Sequence, residues 1–261
     1  MLEPFVYNFQ TFMLIFARIM GLINTAPIYA SEAVKLPLRV MIAFLTTLII
    51  FPVTANYIPP IPSSMGEYFL LAISEIFVGV LIGFMVSIIF AGFQMAGEFF
   101  SVQMGFGYTQ VLDPVSQSSL PVLSILKNML GMLLFLVVGA HRILLESIVF
   151  SFERLQILKF TNEVNSGILH VLEYSVGAMF VVAFKLALPV MGIILLVTIA
   201  EALMGKVAPQ LNILQISFPA KIAIGLIIMI ITIPFIEKQM VESIELSFDQ
   251  IHRMLGNWHH N

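Results

Sequence analysis

Cysteine is absent from the 261 residues, which excludes disulfides, thiolate metal sites and cysteine nucleophiles. Charge is scarce as well: 10% of the residues are Asp, Glu, Lys or Arg, against about a quarter in soluble domains. The formal net charge is −3, which argues against a nucleic-acid partner or a polybasic lipid-surface protein. No HExxH, GxSxG or P-loop pattern occurs, and no Ser/His/acid triad can be argued from spacing. Period-2 alternation is missing, which argues against a β-barrel. The opening stretch MLEPFVYNFQ lacks a basic start and a small-residue cleavage site, so it reads as mature protein whose first apolar run stays in the membrane.

What the chain does have is apolar surface. Hydrophobic residues make up 59%, with 23 Phe and 16 Met, and the mean hydropathy is +1.02. That is more than a soluble core can use, so the expected fold class is an all-α, multi-helix integral membrane protein. Six runs are long enough to cross a bilayer: roughly residues 5–27, 34–53, 68–97, 121–139, 171–200 and 213–236. The third and fifth approach 30 residues and must tilt, kink or project beyond the bilayer. Pro27, Pro52, Pro189 and Pro234 lie in or near run ends, where proline kinks or ends a helix. Pro59, Pro60 and Pro62 predict a stiff second loop. The longest polar stretches are 151–167, 101–121 and the tail after Glu237, with His259 and His260 read as part of a frayed polar end. The spacing of Gly79 and Gly83 permits close helix contact.

The positive-inside rule does not orient the chain cleanly. With the N-terminus outside, the inner loops hold Lys35, Arg39 and Lys206, and the outer segments hold Arg142, Arg154, Lys159, Lys238 and Arg253. That is three against five, the wrong way, and orientation stays open. Charges also lie in or beside the apolar runs: Arg18, Glu75, Glu98, Lys127, His141, Arg142, Lys185, Glu201 and Lys221. Such residues usually face protein or water. Pairing across helix or subunit interfaces, an ion or proton relay, and snorkelling from run ends are the three readings. Glu75 and Glu98 are 23 residues apart, about 35 Å on one helix, which is too far for paired-carboxylate chemistry.

The stretch 101–121, SVQMGFGYTQVLDPVSQSSLP, combines apolar bulk with glycine freedom and has no Lys or Arg. Met104, Phe106 and Tyr108 either pack under neighbouring helices or fill an opening. Gly105 and Gly107 supply backbone freedom, and Asp113–Pro114 ends the flexible part. Ser119 and Pro121 suit the start of the next helix.

Three stretches together resemble one family: EFFSVQMGFGYTQVLDPVSQSSLPVLS, VAPQLNILQISFPAKIAIGL and FMLIFARIMGLINTAPIY. They resemble the FliR family of flagellar export-gate proteins, whose injectisome counterparts form the SctT/YscT/SpaR group. The resemblance covers essentially the whole chain. It implies a non-enzymatic subunit of the bacterial inner membrane and flagellar basal body, in a helical hetero-oligomeric gate with FliP and FliQ. FlhB and FlhA would adjoin, and unfolded flagellar subunits would pass through. No cofactor, metal or nucleic acid is implied. Residues 1–168 would be FliP-like, and 169–261 a FliQ-like hairpin with a polar tail. Met104, Gly105, Phe106, Gly107, Tyr108, Val111 and Leu112 would plug the closed pore, which apolar side chains can do by dewetting. Arg18, Glu75, Glu98, Lys127, Lys185, Glu201 and Lys221 would pair between subunits or helices. The alternatives are an injectisome subunit and a small-solute secondary transporter with midplane broken helices.

Overall fold

The structure is a computed structural model that describes residues 2–31, 33–58, 60–62, 64–106, 122–154, 162–210 and 212–257. The described residues are almost entirely helical. The helices are α1 (Leu2–Thr25), α2 (Leu36–Thr54), α3 (Met65–Gln103), α4 (Val122–Val137), α5 (Ala140–Arg154), α6 (Asn162–Val207) and α7 (Ile213–Asn257), with a short 3-10 turn at Ala55–Tyr57. Among the described residues, five segments are long and apolar enough to span a bilayer: Phe5–Thr25, Leu36–Tyr57, Met65–Gln103, Glu173–Val207 and Gln215–Leu255. A sixth is added if α4 and α5 are taken as one broken span. The all-α, multi-pass membrane class follows.

The helices are longer than the apolar runs. Residues 151–167 and those after Glu237 read as polar by composition, yet α5 runs to Arg154, α6 begins at Asn162 and α7 continues to Asn257. The reason in α7 is amphipathic spacing. Met240, Ile244, Phe248, Ile251 and Leu255 recur at helical intervals and are buried, while the acids between them stay at the surface. The helical part of the tail is therefore packed structure. His259 and His260 lie outside the described residues. Pro189, Pro219 and Pro234 sit inside helices that continue past them.

Packing divides the chain into two compact units. One comprises residues 1–88, 139–176 and 244–261, the other 89–138 and 177–243. Helices α3, α6 and α7 each contribute to both units.

In the first unit α1 packs on α2 and α3, and α2 also packs on α5. Phe12 of α1 meets Phe44 and Phe51 of α2, with ring centroids 5.4 and 5.9 Å apart. The α1–α3 seam is built on glycine. A Cβ on Gly79 would strike the Arg18 carbonyl, one on Gly83 would strike the Thr25 hydroxyl, and one on Gly21 would strike the Ile76 carbonyl. Farther along, the Tyr68 hydroxyl donates to the Gln10 carbonyl at 3.0 Å. Residue numbers rise together along the seam, so α1 and α3 run in the same direction. The loop after α1 is held by Arg39. Its Nε donates to the Val34 carbonyl at 2.8 Å, and one terminal nitrogen donates to the Ala30 and Ser31 carbonyls at 3.0 and 2.9 Å.

In the second unit a core of Phe100, Met104, Leu123, Ala187, Val190, Ile194 and Ile228 joins α3, α4, α6 and α7. Phe90 packs on Phe93 and Phe135, at 5.5 and 5.7 Å. Gly97 lies so close to the backbone of Ser124 that no side chain fits between them.

Gly79→Val should be strongly destabilising. The obstacle is backbone, which cannot rotate away, so about 3 kcal/mol, the upper end of overpacking costs, is expected. Gly139→Ala meets no atoms within 4 Å, but it must hold φ +75°, and about 1 kcal/mol is expected. Thermal melting of the purified protein in detergent measures both, and equal losses would contradict the close-approach argument.

Candidate functional site

Two features gather the residues that composition singled out: the buried charges and the root of the loop after α3. Arg18 lies on the seam of α1, and Glu75 lies one turn before Gly79 on α3. Because Gly79 lets the backbones close up, the Arg18 guanidinium reaches the Glu75 carboxylate, with Nε 2.5 Å from Oε2. Both side chains are buried, at 1% and 2% exposure. Arg18 also donates to the Ser151 hydroxyl of α5 at 2.9 Å. Ser151 in turn donates to the Ile148 carbonyl at 2.7 Å. The Phe152 ring lies 3.9 Å beneath the guanidinium carbon. One cation thus ties three helices together, each contact using a property of arginine: charge, a directed fork of donors and a flat face.

The second unit holds its charges differently. Lys221 of α7 pairs with Glu201 of α6 at 2.9 Å, with both side chains under a fifth exposed. Lys127 is fully buried on α4, with its ammonium 5.1 Å from the centre of the Phe100 ring. It makes no ion pair among the described residues. The neighbouring Ser124 hydroxyl has no partner there either. Glu98 accepts a 3.4 Å hydrogen bond from Gln94 on its own helix. Lys185 stands exposed on α6. His141 is half-buried with Nδ1 unpartnered among the described residues, and Arg142 pairs at the surface with Glu146. The acids Glu75, Glu98 and Glu201 belong to separate constellations and do not form a chain of carboxylates. Among the described residues no group of three His, Asp or Glu could hold a metal ion.

At the loop root, Met104 is fully buried in the second unit's core. Its side chain fills the space a Cβ would take at Gly225 of α7. Gly105 turns the chain with φ +86°, and a Cβ there would stand 2.7 Å from the Phe218 ring. Backbone and space therefore both require glycine. Phe106 is half-buried against the same core. Gly107, Tyr108, Val111 and Leu112 lie outside the described residues, as do Ser119 and Pro121.

Sequence reading missed several of these partners. Ser151 and Phe152 sat in a stretch read as polar. Gly21 and Thr25 carried a signal, since 18, 21, 22 and 25 form one helical face with Arg18 at its start. Gly225, Phe218 and Phe100 carried none, because their roles depend on which helices meet.

Residues 9–247 match the family described as "Bacterial export proteins, family 1". The chain belongs to that family. Among its relatives, the flagellar biosynthetic protein FliR of Bacillus subtilis is 29% identical over 95% of both chains. That of Escherichia coli K12 is 32% identical over 84% of this chain and 82% of its own. The counterpart from Pectobacterium carotovorum is 30% identical, covering 85% and 83%. The family match includes the glycine seam, both interhelical ion pairs and the loop root.

Arg18→Met or Glu75→Met alone leaves a buried charge unpaired and should cost about 3–5 kcal/mol. The double variant removes both charges and should cost less than either single change. Chemical denaturation of the three variants measures this. Additive losses would show that the pair is not the source of the effect.

Proposed function

We propose that the chain is a non-enzymatic subunit of the flagellar protein-export gate in the bacterial cytoplasmic membrane. In this reading it assembles with FliP- and FliQ-type subunits, beside FlhB and FlhA, around a path for unfolded flagellar subunits. Residues 1–168 would be the FliP-like part and residues 169–261 the FliQ-like hairpin with its polar tail. The carrying observation is the family match from residue 9 to 247, with relatives bearing a flagellar name over most of their length. Those names favour the flagellar system over an injectisome. A small-solute transporter is disfavoured because α6 and α7 run through Pro189, Pro219 and Pro234 without a paired helix break.

The residues that follow α3 would plug the closed gate. Burial of Met104 supports an anchoring role for it, with Gly105 turning the chain away from the anchor. The apolar bulk for closure would then come from Phe106, Tyr108, Val111 and Leu112, with Gly107 lending freedom. A polypeptide-sized opening would leak ions unless dry side chains filled it.

Deletion of residues 108–117, which leaves Met104 and Phe106 in place, separates the readings. The gate reading expects an assembled complex with raised ion conductance in liposomes. A pure scaffold would assemble and remain tight, and a transporter would instead lose solute uptake. Phe106→Ala should also raise the conductance of the assembled complex, with some loss of stability because the ring packs on the core.

A further inference from the structure

Of the seven charges singled out within the apolar runs, three lie outside the ion pairs among the described residues: Lys127 against Phe100, Glu98 beside Gln94, and Lys185 on the open face of α6. The last carries furthest. Lys185 lies 12 residues after Glu173 and 22 before Val207 in the apolar segment Glu173–Val207. It is exposed and forms no ion pair among the described residues. Residues 177, 181, 185, 188 and 192 are spaced by four, four, three and four, so they share one helical face. Val181 and Leu188, on either side of the lysine, are 53% and 59% exposed.

Lipid is a poor cover for this face. An ammonium bracketed by apolar side chains is expensive in hydrocarbon. Arg18 and Lys221 meet that cost with carboxylates and Lys127 with burial against the Phe100 ring, whereas Lys185 has neither among the described residues. The face also ends in glycines. Neither Gly177 nor Gly192 has any atom within 4 Å of where a Cβ would stand. Small residues with open space before them admit the backbone of another helix in membranes. A backbone acceptor is freed at the same level, since Pro189 has no N–H to offer the Lys185 carbonyl four residues earlier. An internal acid does not answer the charge. Phe99 and Phe184 stack at 5.1 Å, which brings Glu98 and Lys185 into one neighbourhood, yet these two form no ion pair.

We propose that the α6 face from Gly177 to Gly192 docks a membrane helix of a partner protein that sets a carboxylate against the Lys185 ammonium. The glycines admit the helix, Val181 and Leu188 give it apolar contact, and the lysine fixes its register. The inference rests on the assembly reading above and adds the chemistry of one contact within it.

The test uses the full chain co-expressed with FliP- and FliQ-type subunits. Treating the purified complex with a zero-length carbodiimide joins an amine to a carboxylate in contact with it. Mass spectrometry should find Lys185 linked to an Asp or Glu of another chain. Lys185→Met should lose the link and deplete the complex, while Lys185→Arg retains the complex. The isolated Lys185→Met chain should melt as the parent does, because Lys185 forms no ion pair within the chain. Four results would overturn the proposal: a link to the chain's own Glu98, acetylation of Lys185 in the intact complex by a water-soluble reagent, undiminished recovery of the Lys185→Met complex, or loss only of bound anionic phospholipid. If the unaltered chain fails to assemble with those subunits at all, the assembly reading falls and takes this contact with it. If it assembles and Lys185→Met assembles equally well, only the contact falls.

Discussion

The buried contact between Arg18 and Glu75 sets the terms for the first unit. An ion pair out of water is tolerable only with close geometry and further hydrogen bonds to satisfy what the pair leaves over. The glycine seam provides the closeness and Ser151 with Phe152 the rest. Neither arrangement works alone. Without Gly79 the backbones stand too far apart for a short ion pair, and without the ion pair the seam would bury a lone charge. Helices α1, α3 and α5 are consequently fixed in register at one level, which apolar packing specifies less sharply.

The second unit solves a different problem. Its core is aromatic and aliphatic, and its buried charges are either paired or laid against a ring. Glu201 and Lys221 neutralise each other across α6 and α7, and Lys127 rests on an aromatic face. Met104 enters this core from the end of α3 and occupies the space left by Gly225. The loop proposed as a plug therefore starts from a fixed point, and Gly105 turns the chain immediately after it.

Much of this was legible in the sequence, and the limits have physical causes. Hydropathy located the spanning segments because apolar content tracks membrane burial directly. It failed in α5 and in the second half of α7, where helices alternate polar and apolar faces, and it placed the start of α6 too late, at 171 instead of Asn162. Averaging over such a stretch conceals Met240, Ile244, Phe248, Ile251 and Leu255. The charged residues stood out, but their pairing did not. Arg18 and Glu75 are 57 residues apart, and only the meeting of α1 and α3 joins them. Gly79 and Gly83 were visible as a spacing, and Gly21 and Thr25 as one helical face with Arg18, but the meeting of these two faces was not.

Exposed apolar side chains along α2, α6 and α7 are common to membrane-facing and subunit-facing helices, and Lys185 is what separates the two on α6. The central claim, that this chain is one subunit of a larger export gate, is tested most directly by imaging the particle recovered with FliP- and FliQ-type subunits. The account predicts one particle in which protein, not detergent, covers the face of α6 that carries Lys185. A particle lacking this chain would contradict it, whereas a particle that holds the chain with that face in detergent would remove only the Lys185 contact.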